Sequence, residues 1–260
     1  MEYGICHLGI IPLRKENSHQ SEMVSQLLYG ECYKLIEKRK KWAKIRLEWD
    51  GYEGWIDRNQ VHEISREVFE KITQFNLNIS TDLVNYITTK DDLLFPILIG
   101  SDLRALKILK HQFEGESLRP KNSKKALTDT AYLFLNAPYL WGGKTLLGID
   151  CSGFTQMVYK INGIKLNRDA HQQAHQGQTL SFIEESEAGD LAFFDDSEGK
   201  IVHVGLLLEN HCIIHAHGTV RIDQIDQTGI YNGSAHTHKL RTVSYTHLRA
   251  HETEADLVCR

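Results

Sequence analysis

Cys151, His203 and His215 are the residues of this chain whose types and order suit acyl-transfer chemistry. Cys151 follows the turn Leu147-Gly148-Ile149-Asp150 and opens a run in which Phe154, Met157, Val158 and Ile161 fall at i, i+3, i+4 and i+7. That is the apolar stripe of a core-facing helix. Asn162-Gly163 is its expected stop and Asp150 its expected N-cap. Cys151 then lies in the first turn, where unpaired N–H groups and the helix dipole favour a thiolate. A cysteine so placed is a candidate nucleophile, and a small buried hydrophobe is the alternative.

The histidines belong to a β region that opens at Gly189-Asp190, with strands at 191–194, 201–208 and 212–217. Period-two alternation puts Ile201, His203, Gly205 and Leu207 on one face of the middle strand, and Ile213, His215 and His217 on one face of the next. A hairpin with a three-residue loop at 208–210 sets His203 directly opposite His215, Cβ atoms roughly 4.5–5.5 Å apart. A two-residue loop sets Ala216 against His203 instead. In the first register, His203 takes the thiol proton while His215 fixes its tautomer and orientation. The thiolate attacks an amide carbonyl, and the Cys151 backbone N–H helps hold the oxyanion. Gly205 leaves room for substrate beside His203. His217 reads as a loop cap. A zinc site from His203, His215 and His217 lacks an evident fourth ligand, and the pair His171 and His175 lacks a third. No metal and no cofactor are expected.

The elements that must position these residues come earlier in the chain. Residues 3 to 65 contain short strands at 10–13, 33–36, 42–47 and 53–56, with a hairpin signal at Asp50-Gly51. They predict a small all-β barrel, in which Trp42 and Trp55 are either core or ligand contacts. Residues 66–120, with strand-like runs at 84–87, 93–99 and 105–109, predict a second, divergent barrel; Pro96 confines the middle run to an edge or bulge. The basic run Arg119–Lys125 reads as a linker, and 126–135 as a helix that ends before Pro138.

Composition removes several function classes. The 260 residues carry a net charge of −4, with no basic stripe for nucleic acid. No apolar run reaches the length of a membrane span. The five cysteines are scattered, which fits neither a disulfide framework nor a zinc knuckle. The N-terminus lacks a basic segment followed by an apolar one, so a cytoplasmic, reduced location is expected.

Asp150-Cys151-Ser152-Gly153-Phe154 on a helix, His203-Val204-Gly205 on a strand, the later His215 and the preceding Tyr139-Leu140-Trp141-Gly142-Gly143 resemble the NlpC/P60 cysteine peptidases. Leu27–Glu31 followed by Gly51-Tyr52-Glu53-Gly54-Trp55-Ile56 resembles a bacterial SH3 domain. The resemblance implies an α+β fold: a papain-like catalytic domain at 121–243 behind two small SH3-like β-barrels at 1–65 and 66–120. The whole is similar to the γ-D-glutamyl-L-diamino acid endopeptidases, which cut muropeptides between D-Glu and the diamino acid during cell-wall recycling. It implies catalysis by Cys151, His203 and His215, and peptidoglycan-derived peptides as partners of a monomer. Asp169 matches the position that binds a free N-terminal L-Ala ammonium, a role that suits a carboxylate because a buried cation must be paired. Asp150, Ser152 and Tyr139 match substrate-contacting positions, and Glu22 and Tyr52 are candidates for a wall beyond L-Ala. Ala170 stands where relatives often carry serine, which removes one hydrogen bond. Asp169 also reads as a helix N-cap. Two alternatives remain: a secreted or periplasmic hydrolase of the intact wall, and a wall-fragment binding module. From Ser244 to Arg260 the sequence loses either period and resembles translated adapter sequence, so a non-native tail is expected there.

Overall fold

The computed structural model describes residues 2–245 except 121, 122, 181, 182, 232 and 234. The chain begins with seven strands, β1 (Glu2–Ile5), β2 (Ile10–Arg14), β3 (Met23–Leu28), β4 (Cys32–Lys38), β5 (Trp42–Leu47), β6 (Glu53–Asp57) and β7 (Glu63–Ile64). They form one sheet in the order β3-β2-β6-β5-β4-β1-β7. The alternation in β5 decides its facing: Ala43, Ile45 and Leu47 meet Ile11, Leu13, Leu27 and Ile56 in a single core, so the sheet wraps around it. Lys44 and Arg46 point outward to Glu53. Trp42 and Trp55 share that outer face, Trp55 beneath the Arg39 guanidinium.

The expected second barrel over residues 66–120 is not confirmed: no closed sheet forms there among the described residues. These residues fold into α1 (Arg66–Gln74), β8 (Ile79–Ser80), β9 (Val84–Thr88), β10 (Leu94–Leu98), α2 (Leu106–Leu109) and β11 (Ser117–Leu118). Their ladders are the two-stranded pairs β9–β10 and β8–β11. The run at 105–109, expected as a strand, is a 3-10 turn leading into α2 that packs Ala105, Ile108 and Leu109 against Phe69 and Ile72 of α1. An apolar run this short has no period that separates strand from buried helix. In a two-stranded ladder both strands are edges, which is why Pro96 is tolerated in β10.

The last part holds α3 (Lys124–Tyr132), β12 (Lys144–Thr145), β13 (Gly148–Ile149), α4 (Cys151–Ile161), α5 (Ala170–Gln173), β14 (Gln178–Thr179), β15 (Leu191–Asp195), β16 (Ile201–Leu208), β17 (Cys212–His217), β18 (Thr219–Ile225), β19 (Gly229–Tyr231) and β20 (His236–Tyr245). Strands β15 to β20 pair in sequence order, and β20 returns to pair with both β15 and β19, closing a six-stranded barrel. Ser244 lies opposite Thr179 and Leu191, and Tyr245 opposite Gln178. The sheet thus runs two residues past the expected boundary at Val243, and the rest of the expected tail lies outside the described residues. No helix among the described residues is long and apolar enough to cross a membrane.

Helix α4 is the centre of this last part. Phe154, Met157, Val158 and Ile161, the predicted stripe, all enter the main core beside Phe193, Val204 and Leu206. Yet all eleven residues of the helix are buried, polar ones included. The first barrel covers the side that the sequence pattern assigned to water. Lys160 reaches Glu31 of that barrel and the carbonyl of Gly100, and Gln156 donates to Asp50 at 2.7 Å. Glu31 also faces Lys144 at 3.4 Å. Burial opposes its ionisation, but the two ammonium groups outweigh it and bring its carboxyl down to about 2. Glu31→Ala leaves two buried cations without their counter-ion and is expected to cost about 3–5 kcal/mol in chemical denaturation. A loss below about 1 kcal/mol, the level of an exposed pair, would show that this seam is open to water.

Candidate active site

Asp150 caps α4 as the sequence predicts. Its Oδ1 accepts from the Gly153 N–H at 2.7 Å, and Gly163, at φ +80°, follows the helix end. The same carboxylate accepts from the Gly142 N–H at 2.7 Å and from both terminal nitrogens of Arg168, at 3.0 and 2.6 Å. Both Asp150 oxygens are therefore spent on the scaffold. Ser152 is similarly engaged, accepting from Arg168 at 2.9 Å. Two glycines allow the close approach: a Cβ at Gly142 would lie 2.2 Å from the Met23 carbonyl oxygen, and one at Gly153 2.2 Å from that of Gly143.

Cys151 begins this helix with only 6% of its surface exposed. The sequence suggested a stabilised thiolate, and the structure corrects that. Burial pushes the thiol up to about 12 and the Asp150 carboxylate adds to it, against weaker help from the backbone of Val204 and Ser152 and from Arg168. The helix terminus does not offset desolvation beside a carboxylate. Burial therefore favours the thiol over the thiolate at rest. The Cys151 sulfur lies against the backbone of Val204, the neighbour of His203, and makes no side-chain hydrogen bond among the described residues.

The histidine register differs from the expected one. Leu206 pairs with Ile214, Leu207 with Ile213 and Leu208 with Cys212, so the loop is 209–211. Leu208 is held in the strand by the main core, and Asn210 and His211 take left-handed φ of 59° and 54°. This register brings Gly205, not His203, opposite His215. A Cβ at Gly205 would lie 2.9 Å from that of His215 and 2.6 Å from Ile213 Cδ1. Gly205 thus makes room for the neighbouring strand rather than for substrate. His203 and His215 meet diagonally all the same: His203 Nε2 and His215 Nδ1 are 2.8 Å apart, with ring centroids separated by 5.0 Å.

Two further groups join them that the sequence reading missed. Asp223 Oδ2 lies 3.0 Å from His215 Nε2, and Arg221 donates to Asp223 Oδ1 at 2.7 Å. His238 stacks on His203 with centroids 4.3 Å apart. Both come from strands, β18 and β20, that the reading left unassigned. His217 lies on the same side, 4.9 Å from His238. Burial holds His203 well below the ordinary imidazole range, and the neighbouring imidazoles add to this. His215 is lowered chiefly by burial, and His238 is brought down to about 4.

Beside Cys151 opens a cavity of about 710 Å³ between the two parts of the chain. Tyr52 and Glu22 of the first barrel line it with Tyr139, Trp141, Asp169 and Ala170. Tyr52 donates its hydroxyl proton to Asp169, at 3.2 and 3.3 Å from the two carboxylate oxygens. Glu22 accepts from the Trp141 indole at 2.7 Å and pairs with Lys15 at 3.3 Å. Asp169 also precedes α5, where its backbone N–H donates to Gln172 at 3.2 Å, so the cap and the cleft position coexist. Burial raises the Asp169 carboxyl, with Arg168 and Tyr52 opposing. Trp42 and Trp55 do not line this cavity.

A closed barrel carrying paired histidines, with a cysteine at a nearby helix start, holds the residue types that a cysteine peptidase uses. Residues 136–240 match the model of the NlpC/P60 family, and residues 13–61 match that of the bacterial dipeptidyl-peptidase SH3 domain. The chain is similar to the gamma-D-glutamyl-L-lysine dipeptidyl-peptidases of Bacillus cereus (strain ATCC 10987 / NRS 248) and Bacillus subtilis (strain 168). With the first it is 24% identical over 230 residues, covering 76% of this chain and 68% of the relative. With the second it is 28% identical over 215 residues, covering 74% and 71%. The crystal structure of an NlpC/P60 family protein from Bacillus cereus shares the fold, with a TM-score of 0.76 at 18% identity over 94% of this chain and 99% of that one.

The buried neutral imidazoles carry a pH signature. In the unfolded chain they bind protons near pH 6.5, whereas in the folded chain they do so only at lower pH. The unfolded state therefore gains protons first, and stability is full above about pH 6.5 and falls as pH drops towards the folded values. The melting temperature is expected to decline between about pH 6.5 and pH 4, where His238 titrates. His238→Phe is expected to flatten the decline, measured by thermal melts in matched buffers. An unchanged slope would remove His238 from the account.

Proposed function

We propose that this chain hydrolyses the γ-D-Glu–diamino acid bond of free muropeptides that begin with L-Ala, a step of cell-wall peptide recycling. The observation that carries the reading is Asp169, a half-buried carboxylate oriented by Tyr52 in the cleft beside Cys151. A carboxylate there pairs with an ammonium that has left water. Glu22 and Tyr52 line the cleft on the barrel side; in this reading they form the wall beyond L-Ala that disfavours an N-terminus still joined to glycan. The names of the two Bacillus relatives point to the same bond, with L-lysine as the diamino acid.

The chemistry follows from the resting protonation states. Cys151 Sγ attacks the γ-carbonyl while His203 Nδ1 takes its proton, because His203 Nε2 is engaged with His215. N–H groups at the start of α4 stabilise the oxyanion. The imidazolium gives its proton to the leaving amine of the diamino acid, and the C–N bond breaks. Water, deprotonated by His203, then releases the L-Ala-γ-D-Glu acyl group from sulfur.

The test compares L-Ala-γ-D-Glu-diamino acid peptides, free or blocked by muramic acid, by mass spectrometry. Cleavage of the free peptide alone, abolished in Cys151→Ala, is expected. Asp169→Asn is expected to lower kcat/KM on the free peptide by about 30-fold or more, since it leaves a desolvated ammonium without its counter-charge. Equal cleavage of both peptides would instead indicate a hydrolase of the intact wall, and cleavage of neither a binding module.

A further inference from the structure

We propose that Asp223 is a positioning residue that, through His215, fixes His203 as the tautomer protonated on Nε2 and bare on Nδ1. The inference rests on Cys151 and His203 being the reacting pair, and it concerns how the base is kept ready.

The argument is a count of donors along a chain of three groups. An ionised carboxylate only accepts hydrogen bonds. Burial opposes ionisation of Asp223, but the hydrogen bonds from Arg221 and His215 outweigh it and hold the carboxyl below its usual range. Facing Asp223 Oδ2 at 3.0 Å, His215 Nε2 must therefore carry a hydrogen. His215 is fully buried and held neutral, so its Nδ1 is bare and can only accept. The partner at 2.8 Å is His203 Nε2, which then must donate. Neutral His203 has one ring hydrogen, now committed, and Nδ1 is left with its lone pair for the thiol proton. The other charged or titratable groups around the pair are Arg221, His217 and His238. None of them bonds a ring nitrogen of either histidine among the described residues.

Arg221 makes the arrangement testable. Its guanidinium, a donor without an acceptor, holds Asp223 Oδ1 at 2.7 Å. In Asp223→Asn the amide oxygen is kept on the Arg221 side, so the amide nitrogen faces His215 Nε2 and donates to it. Each hydrogen along the chain then reverses. His215 donates from Nδ1, His203 accepts at Nε2, and His203 Nδ1 carries the hydrogen and cannot take a proton. Releasing the amide by adding Arg221→Met lets it turn its oxygen back to His215.

The experiment measures the nitrogen-15 spectra of the histidine rings, the kinetics of muropeptide cleavage and the rate of Cys151 alkylation by iodoacetamide across pH. Wild type is expected to show His203 with protonated Nε2 and bare Nδ1. Asp223→Asn is expected to reverse that pattern, lowering kcat by about 10²- to 10⁴-fold with KM little changed. Alkylation is expected to slow near neutral pH and to rejoin wild type at alkaline pH, where the thiolate forms without a base. The double variant is expected to recover at least about tenfold in kcat. A merely structural role would depress alkylation at every pH and would not be rescued by a second substitution. His203 bearing its hydrogen on Nδ1 in wild type, or an Asp223→Asn protein with unchanged ring spectra and alkylation profile, would overturn the proposal. The spectra and the alkylation need no substrate, so they stand even if the proposed muropeptide is not cleaved.

Discussion

The Asp150–Arg168 ion pair is the contact on which the rest of the site depends. It is bidentate, the guanidinium is 1% exposed, and it closes a ring of backbone and side-chain bonds. Through Asp150 it caps the helix that begins with Cys151 and holds the Gly142 turn against it. Through Arg168 it reaches Ser25 in the first barrel at 3.1 Å and places the next residue, Asp169, at the cleft. One buried pair thereby fixes Cys151, the cleft wall and the barrel relative to one another. A desolvated pair of this kind is weak evidence for stability, because desolvation offsets most of the attraction. Its geometric specificity is the better reason for it to be here.

The same logic extends along the interface between the barrel and α4. Lys160–Glu31, Gln156–Asp50, the Lys144 N–H to Gln26, and Tyr52–Asp169 each join one part to the other. These are directional polar bonds over a surface that the helix would otherwise show to solvent. An apolar interface would tolerate sliding. A set of buried hydrogen-bonded pairs does not, since any displacement leaves charges unpaired in a low dielectric. The cleft is formed by residues of both parts, so its shape is inherited from this seam.

Where a signal was local, the sequence displayed it: the N-cap, the apolar stripe and the Asn162-Gly163 stop of α4 depend on residues a few positions apart. The alternation in β5 and the Asp50-Gly51 hairpin are equally local. The failures share a different cause. The loop at 209–211 was misplaced by one residue because Leu208 stays in its strand for a tertiary reason, its place in the core. Facing survived the error, since both strands shifted together and the period is two. Burial of Lys160 and Gln156 was invisible because their partners lie more than a hundred positions away. Asp223 and His238 carry no motif of their own; the β17–β18 pairing brings Asp223 to His215, and closure of the barrel brings His238 to His203. The run at 105–109, expected as a strand, was misread because a short apolar run fits a strand or a helix turn equally well.

The thiol of Cys151 ties these threads to the chemistry. Had the helix terminus delivered a thiolate, the orientation of His203 would matter only when the leaving amine is protonated. Burial beside Asp150 favours the protonated thiol and the neutral imidazole, so in the proposed reaction the proton must move as sulfur attacks. That demands a bare nitrogen on the correct side of the ring before substrate arrives. A neutral imidazole has two tautomers and no intrinsic reason to hold the useful one. A resting thiol therefore makes the hydrogen-bond chain behind His203 part of the reaction's requirements, and the desolvation that raises the thiol also strengthens every link of that chain.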